Sequence, residues 1–189
     1  MKNCNTFKRL LIPFLLLLCI SSYAQHMKFM GIPLNGTISE FTAKMKAKGA
    51  IISPGNSVSG PGCRYFNGTF FGEKANFYVY YNPSTKIVYR AKAVITGTYF
   101  DYVKNIYDEI KRVIQNKYQE KHREGTFEGY VHVHYDIDLG TKGIFSDGTI
   151  ALYFGEINLY KNEKGYDLYI DYYDTANRKK HENSINSDI

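Results

Sequence analysis

The sharpest chemical signal in the chain is His132-x-His134, within a run, residues 126–137, that reads as a β-strand. Alternation places both imidazoles on one face, about 6–7 Å apart at a rise of ~3.3 Å per residue. Asp136 and Asp138 continue the same row. Neutral imidazoles with a carboxylate suit Zn²⁺ or a similar ion. A straight row cannot surround an ion, so a further ligand would have to come from a neighbouring strand. Asp167 and Asp171 are the candidates. The ordinary reading of the same pattern is the solvated face of a half-buried strand, and a metal centre on His132 and His134 stands as the alternative to it.

Cys63 follows Gly60-Pro61-Gly62 with no positioned base beside it in sequence. Nucleophilic catalysis needs such a base. The chain also lacks a nucleophile elbow, a phosphate-binding loop and a dinucleotide fingerprint. No catalytic residue and no cofactor are therefore expected, and the protein reads as a non-enzyme.

Tyrosine offers a different kind of function. The chain has 18 Tyr and no Trp. Alternation puts Tyr78, Tyr80, Tyr130, Tyr153, Tyr160, Tyr169 and Tyr173 on the water side of their strands, among Lys86, Arg90, Lys92 and several acids. Tyr combines apolar area, low entropy cost and a hydroxyl, which enriches it at interfaces. Aromatic residues also favour strands for packing reasons alone. The expected function is recognition of an envelope or extracellular protein or peptide through this open face. A glycan is the alternative ligand, weakened by the absence of Trp as a stacking platform.

These side chains must be positioned by a sheet. Thr37-Ile38-Ser39-Glu40 is a capping box, Ile38, Phe41 and Met45 follow at helical spacing, and Gly49 suits the residue after the last turn. The pattern predicts a helix near residues 38–48. Residues 53–62 are rich in Gly, Pro and Ser and read as a loop. Strands are expected near 64–71, 75–81 and 86–96, with Asn82-Pro83-Ser84-Thr85 as a turn. A second helix is expected near 99–119, where Tyr99, Tyr102, Val103, Ile106, Ile110, Val113 and Ile114 recur at helical spacing and Asp108 can pair with Arg112. Strands near 126–137, 149–160 and 166–173 follow. The apolar phase shifts between Phe154 and Ile157, which predicts a bulge at Gly155-Glu156. The polar segment after Asp174 is expected to be loosely held.

Both halves thus read helix, strand, strand, strand. Gly68-Thr69-Phe70-Phe71-Gly72 in the first half is echoed by Gly125-Thr126-Phe127-Glu128-Gly129 in the second. The expected class is α+β: an antiparallel sheet with two helices on one face. The expected units are residues 25–97 and 98–174, followed by a polar tail, 175–189.

Residues 1–24 read as a secretory signal peptide. Lys2, Lys8 and Arg9 precede the apolar run Leu10 to Ile20, and Ser22-Tyr23-Ala24 ends in small residues before Gln25. Cys19 follows Leu18 rather than a small residue, which argues against lipidation. The run is shorter than the ~20 residues a span requires. Cleavage predicts a periplasmic or secreted protein with no remaining membrane span. It removes three basic residues and no acid, so the formal charge falls from +6 to +3. No basic stripe remains, and nucleic acid is not an expected partner. Cys63 is left as the lone cysteine, so the fold has no internal disulfide to rely on.

The opening Phe29-x-Gly31-Ile32-Pro33, then Gly36-Thr37, Phe41 and Lys48-Gly49, followed by Gly-Thr-Phe-x-Gly, resembles small secreted proteins of Gram-negative gut anaerobes. In architecture the helix-plus-sheet duplication resembles the tandem β-lactamase inhibitor proteins and the small lipoproteins of outer-membrane assembly. These resemblances imply export and an α+β fold. No inhibitory loop of those families maps onto particular residues of this chain.

Overall fold

A computed structural model describes residues 26–53, 61–119, 139–144, 148–158 and 164–186. Among them the chain forms nine strands and three helices. In order these are β1 (Lys28–Phe29), β2 (Ile32–Pro33), α1 (Ile38–Ala47), β3 (Ile51–Ile52), β4 (Cys63–Phe70), β5 (Glu73–Tyr81), β6 (Val88–Gly97), α2 (Phe100–Gln119), β7 (Leu139–Ile144), β8 (Gly148–Asn158), β9 (Lys164–Asp174) and α3 (Thr175–Asn186). The class is α+β. Strands β3 to β9 make one antiparallel sheet in the order β3-β4-β5-β6-β9-β8-β7, and β1 and β2 form a separate hairpin.

Local chemistry explains the element boundaries. The Glu40 amide donates to Thr37 Oγ1 at 3.3 Å and the Thr37 amide donates to Glu40 Oε2 at 2.8 Å, closing the capping box that starts α1. Gly49 takes φ +84° just past the helix, a conformation that only glycine adopts freely. Asn82 Oδ1 accepts from the Ser84 and Thr85 amides at 2.9 and 3.0 Å, which makes the expected turn between β5 and β6. Phe71 and Gly72 both have positive φ, 53° and 83°, the geometry of a two-residue hairpin turn between β4 and β5.

One apolar cluster binds the helices to one face of the sheet. Phe41 and Met45 of α1 and Val103, Ile106, Ile110 and Ile114 of α2 meet Phe66, Phe77, Ala91, Ala93, Ile95, Leu168 and Ile170. Phe29 plugs one side of this core: its ring stacks on Phe70 at 5.6 Å and meets Phe77 and Tyr172 edge-on. The Phe29-x-Gly31-Ile32-Pro33 segment is thus a core element. Gly31 at φ +77° turns β1 into β2.

Several expectations are corrected. Pairing of β8 with β9 is unbroken from Gly148 to Asn158, so there is no bulge at Gly155-Glu156. The strand keeps its ladder, and Ile157 falls on the face opposite Ile150 and Leu152. The polar tail is not loose: residues 175–186 form α3, and its Asn177 is buried. Asn177 Nδ2 donates to the Leu34 and Val88 carbonyls at 2.7 and 3.4 Å. A helix of low apolar content can dock this way, because satisfying buried carbonyls replaces apolar burial as the reason to pack. On α2, Tyr99, Tyr102 and Val113 belong to the wet side, and Asp108 pairs with Lys104 instead of Arg112. The expected leader, the strand over 126–137 and the second Gly-Thr-Phe echo lie outside the described residues.

Candidate functional site

The register of the sheet collects tyrosines on the face opposite the helices. The Phe71-Gly72 turn pairs Phe70 with Glu73 and therefore Tyr65 with Tyr78 and Cys63 with Tyr80. Tyr78 then pairs with Lys92, and Tyr80 with Arg90. Across β9, Lys92 faces Asp171, Arg90 faces Tyr173 and Val94 faces Tyr169. Tyr153 of β8 completes the last row opposite Tyr169. Two cross-strand ladders result, one through Tyr65, Tyr78, Lys92 and Asp171, the other through Cys63, Tyr80, Arg90 and Tyr173.

Of the residues expected from sequence, Tyr78, Tyr80, Tyr153, Tyr169 and Tyr173 share this face. Tyr130, Tyr160, His132 and His134 lie outside the described residues. Among the described residues, no group of three or more His, Cys, Asp or Glu side chains is placed to hold a metal ion. Tyr65 is an addition. Its ring lies 5.0 Å from that of Tyr78 in a T-shaped contact. The turn length and strand parity locate it.

The face is not simply solvated. Asp171, expected to meet water, is 1% exposed. Arg90 grips it with two hydrogen bonds, Nε to Oδ1 at 2.9 Å and a terminal nitrogen to Oδ2 at 2.5 Å. The Tyr173 hydroxyl also donates to Oδ2 at 3.1 Å. The Arg90 guanidinium lies between the rings of Tyr80 and Tyr173, 4.5 and 4.6 Å from their centroids. Lys92 repeats the arrangement one row along, with its ammonium 4.8 Å from the Tyr78 centroid and 5.3 Å from that of Tyr169. The Tyr169 hydroxyl is turned aside to Asp167 Oδ2 at 2.9 Å, and Thr96 Oγ1 donates to Asp167 Oδ1 at 2.5 Å.

The packing shifts the titration of these groups. Burial pushes the Tyr80 hydroxyl up to about 12. Burial, then the Asp171 charge, raises that of Tyr173. Burial also raises Tyr78 and the Cys63 thiol. A raised thiol is a poor nucleophile. Burial works to lower Arg90, but the Asp171 hydrogen bonds and charge outweigh it and hold the guanidinium firmly ionised. Lys92 has no such partner, and burial lowers its pKa.

A concavity of about 400 Å³ lies between the segment before β1, the Asn82 turn and α3, with His26, Asn82, Asn177, Lys180, His181 and Ser184 among its lining. Its polar groups are largely spent on one another: Asn82 Nδ2 donates to Ser184 Oγ at 2.8 Å and reaches His181 Nδ1 at 3.3 Å. The tyrosine face has more unspent binding chemistry: the hydroxyls of Tyr169 and Tyr173 are held by Asp167 and Asp171, while those of Tyr78 and Tyr80 make no hydrogen bond among the described residues. No protein-family model, curated protein or solved structure matches this chain.

Proposed function

We propose that the protein is an exported binding module that recognises a protein or peptide through the tyrosine face of its sheet. The observation that carries this reading is the placement of Tyr78, Tyr80, Tyr153, Tyr169 and Tyr173 on one face, threaded by Arg90 and Lys92, backed by the buried Tyr65 and opposite the helix-covered core. Such a surface combines rigid aromatic area with hydrogen-bonding hydroxyls and an arginine, the composition that dominates recognition sites. Cross-strand packing already fixes the rings, so binding would cost little further side-chain entropy.

The same geometry disfavours a glycan. Sugars stack on free ring faces, but Lys92 or Arg90 takes one face of each of Tyr78, Tyr80, Tyr169 and Tyr173. Edges and hydroxyls remain, and these suit a peptide backbone. The leader pattern of residues 1–24 supports a partner in the periplasm or outside the cell. No described helix is long and apolar enough to cross a membrane.

Affinity capture from an envelope extract tests the reading. The wild-type protein is compared with a Tyr80→Ala/Tyr169→Ala variant that retains its fold by circular dichroism. A partner held by the wild type and lost from the variant supports it. Equal capture by both, or none by either, removes the support.

A further inference from the structure

We infer that Lys92 is an anion subsite within the tyrosine face and that the recognised peptide presents a carboxylate to it. This rests on the reading of that face as a peptide-binding surface. The argument is an account of charges. Two acids stand beside Lys92 on the face, Asp171 directly across on β9 and Asp167 further along the same strand. Both oxygens of Asp171 are taken, Oδ1 by Arg90 and Oδ2 by Arg90 and Tyr173. Both oxygens of Asp167 are taken by Thr96 and Tyr169. Lys92 forms no ion pair with either, nor with any other described residue, although its side chain is half-buried between two rings. A partly desolvated ammonium keeps three donors, and its aromatic walls can offer only the electron-rich faces already used.

A carboxylate arriving from outside would complete the site. It would accept from the Lys92 ammonium in a charge-assisted hydrogen bond. The Tyr78 hydroxyl, which makes no hydrogen bond among the described residues, can donate beside it. The neighbouring guanidinium of Arg90 does not compete for the incoming carboxylate, because Asp171 neutralises it and holds its orientation. The lowered basicity of Lys92 fits a cation awaiting its counter-charge. A carboxylate can come from an Asp or Glu side chain or from a free C-terminus, and the chemistry at Lys92 is the same.

The test uses random dodecapeptide libraries in two display formats, one with free and one with fused C-termini, selected on the wild-type protein. Enriched peptides are then measured against Lys92→Met, Lys92→Arg and Tyr78→Ala/Tyr169→Ala, each checked for an intact melting transition. The expected result is enrichment of carboxylate-bearing peptides whose affinity falls about ten- to a hundredfold in Lys92→Met and is largely kept in Lys92→Arg. Internal Asp or Glu enriched in both formats identifies a side chain as the source. Enrichment confined to free C-termini identifies the terminal carboxylate. Peptides without a carboxylate, or acidic peptides that bind Lys92→Met equally well, overturn the subsite while leaving the tyrosine face standing. Failure to enrich anything on the wild type beyond what Tyr78→Ala/Tyr169→Ala enriches overturns both.

Discussion

Arg90 and Asp171 stand diagonally across β6 and β9, and the guanidinium holds both carboxylate oxygens, at 2.9 and 2.5 Å. The carboxylate is almost wholly buried and the arginine side chain 25% exposed. Because this pair is closed on itself, it acts as a rigid strut between tyrosine rings and leaves Lys92 as the open charge of the face.

Removing one member of this pair should cost more than removing both. Asp171→Ala strands a half-buried guanidinium, and the expected loss is about 2 kcal/mol or more, below the ~3–5 for a fully buried pair because Arg90 reaches solvent. In a chain of this size that lowers Tm by roughly 4–8 °C. The Arg90→Met/Asp171→Leu double variant should lose less, since apolar replacements of similar volume relieve the unpaired charge. Thermal unfolding of Asp171→Ala and the double variant beside the wild type checks this. A double variant less stable than Asp171→Ala would contradict it.

The segment before β1 is joined to α3 at Asp174. This fully buried carboxylate accepts from His26 Nδ1 at 2.8 Å, the Met27 amide at 3.1 Å and the Asn177 amide at 2.9 Å. It serves at once as the cap of α3 and the anchor of the segment before β1. Deleting residues 175–189 therefore removes a cap worth ~1 kcal/mol and leaves the Leu34 carbonyl without its donor, for ~1–3 kcal/mol more. The melting temperature should fall by roughly 4–12 °C. An unchanged transition would show that α3 contributes nothing to the fold.

How far these features were legible in sequence varies with their physical origin. Local rules located α1, the Asn82 turn and most strands, because capping, turn chemistry and alternation are written in neighbouring residues. Alternation also placed Tyr78 beside Tyr80 and Tyr169 beside Tyr173. What it could not supply was the order of strands. The meeting of β6 with β9 brings Arg90 to Asp171, and no local pattern encodes that pairing. The docking of α3 was hidden for the same reason, since Asn177 looks like an ordinary polar residue until the Leu34 and Val88 carbonyls lie beneath it. The supposed bulge failed because Ile157 tolerates the outer face of β8, so the continuous hydrogen-bond ladder prevailed over apolar phase.

The capping box gives an acid-side signature. Backbone and side-chain hydrogen bonds from Thr37 hold the Glu40 carboxyl below its ordinary 4.5. A carboxyl lowered in the folded state adds stability above its unfolded pKa, and that contribution fades as pH falls through the folded value. Wild type should therefore exceed Glu40→Gln in Tm near pH 6, and the gap should narrow as pH falls below the ordinary 4.5 and through the lowered folded value. A gap that persists or widens in acid would contradict the box.

On the alkaline side the sign reverses. Tyr80 ionises at about 12 in the folded chain against 10 for a free phenol. Its contribution is complete below pH 10 and is lost as pH rises toward 12, because the unfolded chain ionises first. Tyr80→Phe should weaken the alkaline decline in Tm between pH 10 and 12. Absorbance of the tyrosinate band should show that step missing from the late part of the titration. An unaltered alkaline limb would place Tyr80 in water.

Site-specific photocrosslinking tests the binding face most directly. A photoreactive phenylalanine analogue is placed at Tyr78 or Tyr153 on the face, or at Tyr99, which is 76% exposed in the connection between β6 and α2, outside the sheet. Each protein is irradiated in an envelope extract. Recognition through the tyrosine face predicts one discrete adduct from positions 78 and 153, lost when Tyr80→Ala/Tyr169→Ala is combined with the probe, and none from position 99. An adduct from position 99 alone, or the same adducts from all three positions, would contradict it.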